Sequence, residues 1–491
     1  MTGQFDYYAI LGVKKDASID EIKEAFITLR TKIPKANQNP NKNKKYKRIL
    51  NAFEVLSDAQ RRSIYDSLLV ETDETSLEVK IQSSRQQIPL TDSPQLIYLL
   101  IDLIPPSQQA TQKVEQLPLN LCLVIDRSTS MKGERLDHVK NAVDMIVEKM
   151  TTQDILSIIS FSDRAEVVVP SESVQDKMAI RSKVRSVFPS GGTEIFQGLN
   201  AGYKEMIQHD LKGYTNHLIL LTDGHTYGDA PQCLELAEKA AQNNIGFSAF
   251  GIGAEWNDKF LDELVSPSGG QSGFIESPEN VIEFLQEKIK GLGQLYGKNF
   301  CLINEFPKSV KIENAFKLQP FAQPIDSNNK TIKLGDIEER APMSILLELR
   351  IEAQPIETRI NIPFSFDGII PKQSSQTRVL KKSYQIMVML DPISEKPPED
   401  IVSAVRNLSM YRMNEKVQEE IEAGNVDMAT TRMRYLSTRL LQAGEAQLAH
   451  QAHNEAERIA NMGTLSDEGK KRLKYGTRAL LAQTSSLESH D

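Results

Sequence analysis

Five residues able to present oxygen to a cation stand out in this chain. They are Asp126, Ser128 and Ser130 in Asp126-Arg127-Ser128-Thr129-Ser130, Thr193 in Ser190-Gly191-Gly192-Thr193, and Asp223 in Leu221-Thr222-Asp223-Gly224. The first group ends an apolar run, Leu119 to Ile125, and the last ends another, His217 to Leu221; such runs read as buried strands. In an open parallel sheet the loops at the carboxyl ends of neighbouring strands converge on one crevice. Two carboxylates and three hydroxyls delivered there make an all-oxygen site for a hard divalent cation. Mg²⁺ takes about six oxygens at roughly 2.0–2.1 Å and usually keeps some waters. Five side chains leave one position for an oxygen from a partner. Mn²⁺ suits the same ligands.

Other readings of these residues explain less. Ser128 and Ser130 at the start of a helix over 134–150 would suit capping, but capping leaves Thr193 and Asp223 unaccounted for. A phosphoryl-transfer aspartate calls for a second acid two residues on, and Ser128 stands there. No histidine lies near a serine or cysteine in the pattern of an activated nucleophile. In type and order the five residues resemble the metal-ion-dependent adhesion site of the von Willebrand factor type A (VWA) family, with every position filled. The resemblance implies a non-enzymatic domain that binds Mg²⁺ and completes it with an Asp or Glu of a protein partner. Arg127 and His225 flank the ligands, as rim residues or as ordinary exposed ones.

The chain must position these loops within 491 residues, enough for about three domains. Hydrophobic content of 40% and charged content of 25% are those of a soluble globular protein. No apolar stretch approaches the roughly 20 residues of a membrane helix, and the N-terminus lacks the basic-then-apolar pattern of a secretory signal. Cys122, Cys233 and Cys301 are scattered without paired spacing, which points to a reducing, cytoplasmic setting. The net charge of −8 hides an asymmetry: residues 1–70 hold 13 Lys plus Arg against 8 Asp plus Glu, so the remainder carries −13. The cluster Lys42, Lys44, Lys45, Lys47 and Arg48 is short and lacks interleaved stacking aromatics, which argues against nucleic acid.

Residues 1–70 read as a small helical module. Ile22, Ala25, Phe26 and Leu29 mark one amphipathic helix, and Tyr46, Ile49, Phe53 and Leu56 a second. The wording Asp6-Tyr7-Tyr8-Ala9-Ile10-Leu11-Gly12-Val13, Asn51-Ala52-Phe53-Glu54-Val55-Leu56-Ser57-Asp58 and Arg61-Arg62 closely resembles a J-domain, a family of bacterial and eukaryotic co-chaperones. J-domains carry His-Pro-Asp between their helices, required to stimulate the partner heat-shock ATPase. Pro34, Lys35 and Ala36 stand there instead, and the first histidine of the chain is His138. The module is therefore expected to dock or regulate and not to trigger an ATPase.

Residues 71–115 and 298–392 show period-2 alternation, as in Leu77-Glu78-Val79-Lys80-Ile81 and Arg359-Ile360-Asn361-Ile362. Stronger runs lie at Ile345 to Ile351 and Ile386 to Leu390, with turns expected at Ile362-Pro363 and Ile370-Pro371. These flanks are expected to form one discontinuous β-sandwich around a doubly wound α/β VWA domain at 116–297 with a central parallel sheet. Residues 393–485 read as a C-terminal helical bundle, with stripes Ile401, Val405, Leu408 and Met433, Leu436, Leu440, before a tail at 486–491. His450 and His453 sit three apart on that bundle, an exposed polar pair lacking a third metal ligand. The fold class is thus multidomain α and β.

The function expected is Mg²⁺-dependent adaptor work in the cytoplasm, with no membrane span. A second expectation is co-chaperone or accessory work beside a chaperone or ring ATPase, which the J-like module and the habits of intracellular VWA proteins imply.

Overall fold

The structure is a computed structural model that describes residues 7–13, 17–32, 44–58, 61–62, 77–106, 117–225, 228–370 and 377–483. The chain divides into two units, residues 1–75 with 381–383, and residues 76–380 with 384–491.

In the first unit, helix Ile19–Thr31 opens on a capping box in which Ser18 and Glu21 satisfy each other's backbone N–H. Its buried Ile22 and Phe26 meet helix Lys44–Leu56, where Phe53 stacks on Phe26 at 4.1 Å between ring centres. Tyr8 and Leu11 of the short helix Tyr7–Leu11 close the same core with Ile49 and Leu56. The apolar seams seen in the sequence are this contact. The Pro34-Lys35-Ala36 segment lies outside the described residues, as do Lys42 and the turn at Pro371.

The second unit is built on three sheets. Six strands in the order Ala165–Ser173, Ile155–Phe161, Leu119–Asp126, Thr215–Thr222, Gly246–Ile252, Gln271–Ile275 form the α/β layer. Leu119–Asp126 and Thr215–Thr222 are buried at every residue, because helices cover both faces. Helix Glu134–Lys149 covers one face with Leu136, Val139, Val143, Ile146 and Val147. Helices Ile195–Met206 and Ala230–Gln242 cover the other through Leu199, Tyr203 and Leu236. All neighbouring pairs are parallel except one: Ala165–Ser173 runs antiparallel to Ile155–Phe161. The central strands are thus parallel, as expected, and the antiparallel pair lies at one edge. Only Ser162, Asp163 and Arg164 separate the two strands, too few for a crossover.

Two further sheets have five strands each. One runs Glu78–Ser83, Gln95–Ile104, Met343–Ile351, Val310–Gln319, Gln323–Ile325; the other runs Thr331–Glu338, Leu295–Ile303, Thr358–Ile369, Thr377–Met389, Gln87–Pro89. Met343–Ile351 pairs antiparallel with Gln95–Ile104 over its whole length, although some 240 residues of chain separate them (Ile345 with Ile101, 244 positions apart). The facing sides share one core, including Leu99, Ile101, Phe300, Ile345, Leu347, Phe364 and Phe366. Pro363 lies inside strand Thr358–Ile369 and not at the turn expected there. The pairing with Leu295–Ile303 covers Ser365 to Ile369, so on that side no ladder bond is asked of the proline.

Four helices, Glu399–Glu422, Val426–Gln442, Ala446–Met462 and Asp467–Ala482, complete the unit. Met433, Leu436 and Leu440 pack with Ala452, Ala456 and Leu473 inside the bundle. Ile401, Leu408 and Tyr411 pack instead on Phe316, Leu318 and Leu346 of the sandwich. Glu348 of that sheet accepts from Arg412 at 2.5 Å and from the Tyr98 hydroxyl at 2.9 Å. Among the described residues no helix is long and apolar enough to cross a membrane.

Candidate metal centre

Chain order along the sheet reverses between Leu119–Asp126 and Thr215–Thr222, so their carboxyl ends border the crevice where open α/β sheets bind ligands. Asp126 ends the first strand and Asp223 follows the second, both fully buried. The loop that carries Thr193 is fastened to the segments that follow strands Leu119–Asp126 and Ile155–Phe161. Ser190 N–H donates to Arg127 O at 2.7 Å and the Thr129 hydroxyl to Gly191 O at 3.0 Å. Gly192 N–H donates to Asp163 Oδ1 at 2.8 Å and Glu194 N–H to Ser162 O at 2.8 Å. Arg127 extends the same fastening, its guanidinium donating to Ser190 Oγ at 2.9 Å and Phe188 O at 3.4 Å. It braces the loop, whereas His225 is exposed and lines the cleft beside the site.

Four of the five oxygen-bearing residues form one hydrogen-bonded chain. Thr222 Oγ1 donates to Asp126 Oδ2 at 2.6 Å and Ser128 N–H to Asp126 Oδ1 at 2.8 Å. Ser128 Oγ and Ser130 Oγ lie 2.9 Å apart, and Ser130 Oγ donates to Asp223 Oδ1 at 2.8 Å. Thr193 lies beside Gly224, the residue after Asp223, where an added Cβ would fall 2.9 Å from its hydroxyl. The serines cap no helix: Ser128 precedes the short turn Thr129–Met131 without a side-chain cap bond, and Gly133 is the N-cap of helix Glu134–Lys149.

Burial pushes the Asp126 carboxyl up to about 6; hydrogen bonds from Thr222 and Ser128 oppose the rise, and the charge of Asp223 adds to it. Two buried carboxylates side by side are the arrangement a cation relieves. Asp223 has a cationic neighbour within the protein, Arg135, whose Nη1 lies 2.5 Å from its Oδ2. Neither Thr222 nor Arg135 was among the residues singled out in the sequence. Thr222 adjoins Asp223 in the chain; Arg135 lies in the first turn of helix Glu134–Lys149, where a cation opposes the macrodipole but nothing local names its partner.

The site opens on a cleft of about 640 Å³. Ser130, Thr193, Asp223 and His225 line it together with Trp256 and Glu255, and Glu422, Asp467 and Lys470 come from the C-terminal helices. Those helices are fixed beside the site by buried ion pairs. Lys471 donates to Asp258 at 2.9 Å and to Trp256 O at 2.7 Å; Lys474 reaches Asp258 and, at 3.0 Å, Asp262; Arg478 donates to Asp262 at 2.9 Å.

Other chemistry finds little support. The structure places His217 Nε2 2.9 Å from Ser248 Oγ, a histidine–serine pair that the sequence reading missed. Both residues are buried on adjacent strands, and burial, with Lys288 nearby, holds the imidazole well below its usual range. Among the described residues no acid orients its Nδ1 and no hydrogen-bond partner meets it. It is a core contact without the oriented triad of a nucleophile. His450 and His453 are exposed, and the three cysteines are buried free thiols. Among the described residues no three His, Cys, Asp or Glu side chains gather to hold a metal.

Comparison with known proteins fits this architecture. The von Willebrand factor type A domain matches residues 120–288, the DnaJ domain residues 6–66, and the Sll0103-like, C-terminal alpha-helical domain residues 399–483. The chain thus carries a VWA domain and a DnaJ domain, joined to a C-terminal four-helix region. It is 24% identical over 389 residues to the uncharacterised protein sll0103 of Synechocystis, covering 76% of this chain and 91% of that one. Residues of the DnaJ segment are 50% identical over 62 residues to chaperone protein DnaJ 2 of Streptomyces avermitilis, which is 12% of this chain and only 16% of the chaperone. The fold is shared with a von Willebrand factor type A structure from Catenulispora acidiphila, at a TM-score of 0.65 and 15% identity, over 82% of this chain and 96% of that one.

Proposed function

We propose that the protein is a non-enzymatic interaction module that holds Mg²⁺ through Asp126, Ser128, Ser130, Thr193 and Asp223 and binds an acidic side chain of a protein partner there. The observation that carries this reading is the hydrogen-bonded chain Thr222–Asp126–Ser128–Ser130–Asp223 at the sheet's switch point. It offers only oxygen atoms and contains two buried carboxylates, a donor set suited to a hard cation. When bound, the cation supplies a positive centre for a partner's Asp or Glu. Ser128, Ser130 and Thr193 present hydroxyl oxygens, while Asp126 and Asp223 supply charge. The cleft admits an inserted segment of the partner, since pockets of roughly 300–1,000 Å³ enclose ligands of that scale.

Capture of partners on the immobilised full chain tests the reading. Proteins retained in Mg²⁺ should elute with EDTA and should not be retained by Asp126→Ala; retention indifferent to EDTA would refute it. Gly224 offers a second check. A methyl group at this position meets Thr193 Oγ1 at 2.9 Å, and the buried threonine must move. Gly224→Ala should weaken Mg²⁺ binding about tenfold, measured by calorimetry, with the thermal unfolding profile kept.

A second reading, accessory work for a chaperone ATPase, is favoured by the DnaJ match. On this reading the J-domain docks without triggering, because Pro34-Lys35-Ala36 replaces an anionic contact with a cationic one. The full chain should leave the single-turnover rate of a heat-shock ATPase unchanged within about twofold. The change Pro34→His, Lys35→Pro, Ala36→Asp should restore stimulation. Several-fold acceleration by the unaltered chain would show the inference wrong.

A further inference from the structure

We propose that Arg135 is a positioning residue of this site, one that offsets the charge of Asp223 and so leaves more of the cation's charge to the partner's acid. The inference rests on the metal-site reading above. Arg135 Nη1 donates to Asp223 Oδ2 at 2.5 Å while Ser130 Oγ donates to Oδ1 at 2.8 Å. Both oxygens of Asp223 are engaged, one by a cation and one by a hydroxyl of the ligand set. Asp126 is held differently: its donors, Thr222 Oγ1 and the Ser128 N–H, are neutral. The two acids are therefore unequal, Asp126 bringing a full charge and Asp223 one already matched.

Arg135 sits where helix physics alone would not put it. It is the second residue of helix Glu134–Lys149, at the positive end of the macrodipole, where Glu134 and Asp137 are the favoured kind of residue. Its reward is the fully buried Asp223 carboxylate; the arginine side chain itself is 32% exposed. Gly253, in a left-handed conformation at φ 72, makes room for it. A Cβ there would stand 3.2 Å from Arg135 Nη2.

The consequence follows from charge. Two unmatched carboxylates would cancel a divalent cation and leave nothing for an incoming acid. With Asp223 matched by Arg135, about one positive charge remains at the centre, in a cleft where screening is weaker than in bulk water. Arg135 thereby weakens uptake of the metal alone and favours metal and acid together. Such coupling acts equally in both directions.

Calorimetric titration of the full chain with Mg²⁺ alone gives a test whose sign separates this role from a merely structural one. Arg135→Gln should bind Mg²⁺ about tenfold more tightly than wild type, and Arg135→Lys should return affinity to within about threefold of wild type. A brace that only ordered Asp223 would give the opposite result, a loss in Arg135→Gln. Equal or weaker binding by Arg135→Gln, with wild type binding normally, overturns the inference alone. Absence of binding by wild type overturns the metal-site reading and the inference with it. Should Arg135→Gln fail to fold, Asp223→Asn with Arg135→Gln removes both charges together. That pair should bind Mg²⁺ at least about tenfold more tightly than Asp223→Asn alone, and equal or weaker binding overturns the proposal.

Discussion

Asp126→Ala is expected to lose Mg²⁺ affinity by more than about 100-fold while the chain stays folded. Two terms oppose each other in the metal-free protein. The change removes a buried charge that desolvation already disfavours, and it strands the Thr222 hydroxyl and the Ser128 N–H that donate to it. Each lost hydrogen bond costs about 1 kcal/mol, which the relief of desolvation offsets in part, so thermal unfolding without metal should move by only a few degrees. The packing beneath the residue is untouched, because the strand's core residues are Leu119, Leu121, Leu123 and Ile125 on one face and Cys122 and Val124 on the other. Calorimetry with Mg²⁺ on both proteins reads the first effect and a thermal scan the second. Equal Mg²⁺ affinity in wild type and mutant would remove Asp126 from the ligand set.

The largest effect on stability is expected at Asp262. Arg478 and Lys474 are almost wholly buried against it, and the Ser272 hydroxyl and Gln323 amide also donate to its carboxylate. Asp262→Ala leaves two buried cations short of a partner, a class of change that costs about 3–5 kcal/mol. Since Asp262 lies in the α/β layer and Arg478 in the last helix, the loss should appear as earlier release of the C-terminal helices. Protease sensitivity near 467–482 is the direct readout, and a wild-type cleavage pattern would contradict the expectation. Acid should act in the same direction. Burial alone would raise the Asp258 and Asp262 carboxyls, but Lys474 and Lys471 for the one, and Arg478 and Lys474 for the other, hold them well below the ordinary 3.8. An unfolded chain then binds more protons at low pH. The stabilisation is complete above about pH 5 and is lost as pH falls below about 4.

What the sequence shows of this molecule depends on whether a feature is local. The wholly buried strands Leu119–Asp126 and Thr215–Thr222 are continuous apolar runs, and helix Glu134–Lys149 repeats its core residues at helical spacing, so the α/β layer was legible. Strand Gln271–Ile275 was not, because Gln271-Ser272-Gly273 carries no apolar run; nor was helix Asp258–Val265, although Phe260, Leu261, Leu264 and Val265 recur at helical spacing within its two turns. The antiparallel edge could have been read from the three-residue link between its strands. Pro363 misled because proline usually marks a turn, whereas here it sits past the end of a pairing. The four linked oxygen residues of the site come from segments that announce themselves as strand ends. Arg135 does not: a cation in the first turn of a helix is out of place there, but its partner Asp223 is distant in the chain. The same holds for Lys471, Lys474 and Arg478. Their spacing puts three cations on one helical face, which reads as solvated until Asp258 and Asp262 are seen to cover it.

A cation held by the loops at the switch point would be seen in diffraction from crystals of the full chain grown or soaked in Mn²⁺. An anomalous peak is expected among the hydroxyls of Ser128, Ser130 and Thr193, with Asp126 and Asp223 bound directly or through water. Asp126→Ala crystals treated identically should lack it. Anomalous density elsewhere in the wild-type molecule with none at these loops, at Mn²⁺ concentrations that saturate ordinary oxygen sites, would show that these residues hold no cation.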